Sequence, residues 1–76
     1  GTGSAEVNAP MPGSIVAVHR RVGEAVEPGD PIVTLEAMKM EHVVVAPRGG
    51  AVVELEVRAG DQVARGQRLA TIEPAR

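Results

Sequence analysis

The fold class the sequence predicts is all-β: a sandwich or barrel made of two similar halves. Three observations lead to it. A shift of 37 positions lays residues 9–36 over 46–73 without a gap, and ten of the 28 pairs are identical. They are Ala9/Ala46, Pro10/Pro47, Gly13/Gly50, Val16/Val53, Arg21/Arg58, Gly23/Gly60, Val26/Val63, Gly29/Gly66, Thr34/Thr71 and Glu36/Glu73. Gly or Pro interrupts nearly every window that could hold a helix. Short Val-rich runs alternate with turn signals at regular intervals, the spacing of a sandwich or barrel. Two copies are too few for a solenoid, which needs at least three, so the halves are expected to fold against each other about a pseudo-two-fold axis.

Each half has the same order of elements. A Pro–x–x–Gly turn leads into a strand, residues 14–20 in the first half and 51–58 in the second. Gly–acid–x–Val–x–x–Gly follows, running from Gly23 through Glu24 and Val26 to Gly29, then from Gly60 through Asp61 and Val63 to Gly66. Glycines at those offsets suit turn positions with φ > 0, and the lone Val suits a very short strand between turns. A last strand closes each half, residues 32–37 and 69–72. Val16 and Val53, identical across the repeat, are expected in the core. Residues 1–4 (GTGS) read as a cloning remnant, and residues 5–76 as one domain.

Composition narrows what such a domain does. A chain of 76 residues buries only about 60% of its unfolded surface, so the core must be efficient. It contains no Cys and no Phe, Tyr or Trp. Disulfides and thiolate metal sites are therefore excluded, and so are the aromatic platforms of single-strand nucleic-acid binding. A net charge of −2 lacks the basic footprint of duplex binding. No run approaches the ~18 apolar residues of a membrane span, and no signal-peptide pattern opens the chain. His19 and His42, the only histidines, form no metal-ligand spacing and are expected as solvent-facing strand residues.

The segment between Pro31 and Pro47, IVTLEAMKMEHVVVA, is 15 residues without Gly, Pro, Asn or Asp. As one strand it would span roughly 50 Å. A compact chain of this length is only about 30 Å across, with a radius of gyration near 11 Å. The segment must therefore reverse near its middle. A two-residue hairpin there puts Met38 and Lys39 at the tip, with Glu36–Ala37 and Met40–Glu41 on the arms. Met-Lys is poor chemistry for such a tip, which favours Asn-Gly, and strained tips cluster at functional sites. The repeat maps Met38–Lys39 onto Ala75–Arg76 and so places the tip at the pole away from the C-terminus.

Seven of the eight basic residues are Arg; Lys39 is the one lysine. The plain alternative is a single solvated lysine in an arginine-rich chain. An amine can be acylated where a guanidinium cannot, although, protonated at neutral pH, it needs an activated donor. No neighbouring general base is legible. The chemistry at Lys39 is therefore done to it by another protein.

Glu36-Ala37-Met38-Lys39-Met40, within L-E-A-M-K-M-E-H, resembles the attachment motif of biotinyl domains from biotin-dependent carboxylases. Ala9-Pro10-Met11-Pro12-Gly13 resembles that family's opening turn, and the two Gly–acid–x–Val–x–x–Gly stretches its paired hammerheads, so the likeness covers roughly residues 7–73. The resemblance implies a flattened barrel-sandwich of two four-stranded antiparallel sheets with biotin carried covalently on Lys39. Glu36, Ala37, Met38, Met40 and Glu41 would form the flanking recognition surface. It also implies three partners: a biotin–protein ligase using biotinyl-AMP, a biotin carboxylase, and a carboxyltransferase acting on an acyl-CoA or keto acid. The domain itself would be non-catalytic and monomeric, with no nucleic-acid or membrane partner.

Within that family the ungapped repeat leaves no room for a protruding thumb. The chain is thus similar to thumbless carriers of acyl-CoA carboxylase α chains of the methylcrotonyl-, propionyl- or acetyl-CoA type. Such a carrier is cytoplasmic in a bacterium, the preferred reading, or mitochondrial in a eukaryote. Two related folds are the alternatives. A lipoyl carrier of a 2-oxo acid dehydrogenase usually has Asp-Lys-Ala where this chain has Met38-Lys39-Met40. The unmodified barrel of a membrane-fusion adaptor inserts a helical hairpin where these arms meet directly.

Overall fold

Eight strands and no helix form among residues 3–74, the residues described by the computed structural model. They are β1 (Ala5–Asn8), β2 (Gly13–Val18), β3 (Ala25–Val26), β4 (Pro31–Ala37), β5 (Met40–Val45), β6 (Gly50–Leu55), β7 (Gln62–Val63) and β8 (Arg68–Glu73). Two four-stranded antiparallel sheets result, ordered β1-β8-β6-β3 and β5-β4-β2-β7. The Cα radius of gyration is 11.7 Å and the long axis 39 Å, too short for the uninterrupted strand considered above.

The 37-residue repeat is a repeat of hydrogen bonds. Ile15 N donates to Asp61 O as Val52 N donates to Glu24 O; Gly29 N donates to Ala46 O as Gly66 N donates to Ala9 O. The acid of the Gly–acid–x–Val motif now has a role. Glu24 Oε1 accepts from Arg21 N at 2.8 Å, and Asp61 Oδ2 from Arg58 N at 3.0 Å. These carboxylates close the turns and end the preceding strands at Val18 and Leu55, earlier than the sequence run of β-formers suggests. The counterpart of the tip, Ala75–Arg76, lies outside the described residues.

Between the sheets lies an aliphatic core. Ile15, Ile32, Val33, Leu35, Val52, Leu69 and Ile72 are fully buried, with Val7, Val26, Val57 and Val63 around them. Val16 and Val53 are not in it, contrary to the sequence expectation: they are 43% and 36% exposed. Side chains alternate faces along a strand, so burying Ile15 and Val52 turns the next residue outward. A bulge at each place, between Ile15 and Ala17 and between Val52 and Glu54, leaves the valine unpaired. The histidines meet the expectation only in part. His19 is exposed as expected but follows the end of β2, outside a strand, with Nε2 hydrogen-bonded to Thr34 Oγ1 at 2.7 Å. His42 is half-buried in β5 opposite core-facing Leu35.

Strand direction fixes the poles. Four residues (9–12) join Asn8 to Gly13 and four (46–49) join Val45 to Gly50, so each connector ties one end of a sheet to the adjoining end of the other. Ala37, Met40 and Gly13 then share one pole. Ala5, Gly50 and Glu73 share the other, where Arg48 Nη1 donates to Gly3 O at 3.1 Å.

Candidate functional site

β4 and β5 pair in register up to Ala37↔Met40, which leaves Met38 and Lys39 as a two-residue tip. Their φ angles are +55° and +66°, the two positive values at non-glycine residues among those described. Two-residue hairpins with both central residues left-handed match the twist of the strands they join. For an L-residue with a Cβ that conformation costs roughly 1–2 kcal/mol, and neither residue is the Asn or Gly that would lessen it.

The arms impose the conformation. Ala37, the last residue of β4 before the tip, is buried. On the next strand, Gly13 lies so close to the Glu36 carbonyl oxygen that a Cβ there would collide with it and with Leu35 Cδ1 at 2.9 Å. Glycine at position 13 thus allows β2 to lie tightly along the arm that carries the lysine. Sequence reading marked Gly13 as a turn residue; its contact with Glu36 depends on strand register.

The structure brings every residue of the motif to this end of the molecule, in different environments. Met38 is 92% exposed, Lys39 is exposed, and Met40 is exposed although its register mate Ala37 is buried. Glu36 and Glu41 are exposed and directly opposite each other, and among the described residues neither they nor Lys39 forms an ion pair. No residue of the tip lines either of two surface clefts, one around Glu6, Glu54 and Arg68 and one around Leu55–Asp61. The tip presents an amine and encloses nothing. A group joined through an amide to Nζ fits such a site, because no wall limits its size.

The profile of the family described as "Biotin-requiring enzyme" matches residues 5–72. The chain belongs to this family. It is 52% identical over 43 residues to the gamma subunit of glutaconyl-CoA decarboxylase from Acidaminococcus fermentans, which is 57% of this chain and 30% of that subunit. It is 58% identical over 40 residues to the biotin carboxyl carrier protein of acetyl-CoA carboxylase from Solanum lycopersicum, 53% of this chain and 57% of that protein. In both cases the match spans less than two thirds of the relative. Among solved structures, a single-chain, multi-domain long-chain acyl-CoA carboxylase superposes with TM-score 0.89 at 33% identity, covering 96% of this chain and 7% of that one. Urea carboxylase from Kluyveromyces lactis gives TM-score 0.86 at 33% identity over 91% of this chain and 6% of its own. The biotinyl domain is therefore a carrier, and its cofactor is covalent biotin.

Proposed function

We propose that Lys39 is the residue that bears biotin and that the domain carries a carboxyl group from a biotin carboxylase to a carboxyltransferase acting on an acyl-CoA. The observation that carries this reading is the placement of the chain's one lysine on an exposed, left-handed two-residue tip. Attachment forms one amide bond: the Lys39 amine attacks the acyl carbon of biotinyl-AMP on a biotin–protein ligase, AMP leaves, and the amine gives up a proton. Bound biotin supplies a ureido nitrogen that can take up and release a carboxyl group. The chain's own residues supply position. Gly13 and Ala37 hold the arms, the register of β4 and β5 holds the turn, and exposed Met38 gives an adaptable thioether surface to the proteins that meet the tip. The parent protein works in the cytoplasm, or in the mitochondrial matrix of a eukaryote, and the isolated domain is a monomer.

Intact mass after incubation with a biotin–protein ligase, ATP and biotin tests the assignment. One biotin is expected on the unsubstituted chain and none on Lys39→Arg, which keeps the charge but removes the amine. Streptavidin capture that survives Lys39→Arg overturns it.

A further inference from the structure

The chain holds sulfur in three places, Met11, Met38 and Met40, and it has no Cys, Trp or Tyr. No thiol therefore competes with these thioethers for a two-electron oxidant. All three stand toward the pole of the lysine. Met38 and Met40 bracket Lys39, and Met11 lies in the connector that runs from Asn8 to Gly13. Their environments differ. Met11 is partly buried and packs against the aliphatic core, whereas Met38 is 92% exposed and Met40 63%.

A flexible thioether ordinarily fills irregular gaps in a core, and Met11 is used in that way. The two methionines of the tip fill no gap. Their sulfurs are open to an oxidant dissolved in water, and they stand immediately on either side of the amine that is to be acylated. Met11, at the same end of the molecule but against the core, is an internal control for access.

Resting on the reading that Lys39 bears biotin, we propose that Met38 and Met40 form a reversible, peroxide-sensitive modification site that sets the rate at which Lys39 is biotinylated. A hydroperoxide transfers its terminal oxygen to the sulfur. The O–O bond breaks, an S–O bond forms, the thioether is oxidised by two electrons, and the peroxide leaves reduced to water or an alcohol. A thiol-dependent methionine sulfoxide reductase reverses the step: two thiols become a disulfide and the oxygen leaves as water. The sulfoxide puts a polar acceptor and a new chiral centre where a flexible apolar group stood. In the free domain this changes little, because the Met38 side chain is already in water. In the complex with the ligase the sulfoxide oxygen must leave water without an assured hydrogen-bond donor, which is unfavourable. The modification therefore acts on the presentation of Lys39 and leaves the barrel folded.

The test uses unbiotinylated protein, because biotin has a ring thioether of its own. Hydrogen peroxide is added, and trypsin cleavage after Arg20, Lys39 and Arg48 puts Met11, Met38 and Met40 in separate peptides for mass spectrometry. Met38 and Met40 are expected to gain oxygen before Met11. Protein oxidised at the tip is then given to a biotin–protein ligase with ATP and biotin. Its kcat/KM for biotinylation is expected to fall by about twofold to tenfold, the range set by loss of one thioether contact, while Tm stays that of untreated protein. Reductases for both sulfoxide epimers, supplied with a dithiol, restore the rate. Met11→Leu, a swap of similar volume, keeps the whole response, and peptide mapping during recovery shows independently whether the rate returns with the tip or with Met11. Four results overturn the proposal: oxidation of Met11 as early as Met38, a rate changed less than about twofold with both tip residues oxidised, a fall in Tm along with the rate, or recovery that follows Met11. Each of them leaves biotin on Lys39 standing. Absence of biotin from Lys39 in untreated protein overturns the carrier assignment and the modification site together.

Discussion

Replacing Met38 by Asn should make the domain more stable. Met38 holds φ +55° without the glycine or asparagine that this region favours. Asn is enriched several-fold among non-glycine residues there, and several-fold in population corresponds to roughly 1 kcal/mol. Little opposes the gain, since the Met38 side chain is 92% exposed and leaves no cavity when removed. For a domain of this size 1 kcal/mol raises Tm by about 4–8 °C. The assay is thermal unfolding of unbiotinylated protein, with urea titration to show that the m-value, and hence the surface exposed on unfolding, is unchanged. The same variant removes the thioether from the contact surface, so its kcat/KM for biotinylation is expected to fall while stability rises. A Tm equal to or below that of the unsubstituted chain would mean that the tip is not held in the left-handed region, and the account of strain imposed by the arms would be wrong.

Three more substitutions test the packing. Val52→Ala removes two buried methyl groups, about 0.8 kcal/mol each plus a cavity contribution, and should cost about 2–3 kcal/mol by urea titration. Val53→Ala, one residue on and outward-facing at the bulge, should cost less than about 0.5 kcal/mol; equal costs would deny the bulge. Gly13→Ala places a Cβ against the Glu36 carbonyl, so β2 must move away from the lysine-bearing arm. Its expected cost is about 2 kcal/mol or more, at the upper end of ordinary substitutions, and its biotinylation should slow along with the loss in urea midpoint.

Much of the fold was legible because the repeat is written in residues that make turns. Gly23 and Gly60, Gly29 and Gly66, and the carboxylates of Glu24 and Asp61 act within a few residues of themselves, so local sequence reports them. The hairpin was legible for a different reason: a run free of turn residues was too long for the domain, so geometry located Met38 and Lys39 without any turn signal. Identity across the repeat misled at Val16 and Val53. A bulge exists only relative to a partner strand, and the residue it leaves unpaired is visible only once the register is known. β1 also escaped the residue-level reading. Its equivalent is β5, and of residues 5–8 against 42–45 only Val7 and Val44 are identical. The two edge strands differ in sequence, and one of them continues the hairpin of the lysine. That difference distinguishes the two sheets, and an alignment starting at Ala9 does not contain it.

Gly3 and Glu73 lie at the pole opposite Lys39. Mechanically, the barrel is a lever 39 Å long, with the lysine at one end and both Gly3 and Glu73 at the other. Both sheets run along it, so force on the lysine is carried toward the far pole through hydrogen-bonded strands. A rotation of the domain about that pole would sweep the tip through an arc whose radius is the length of the barrel, and the strands need not change their pairing for the lysine to move.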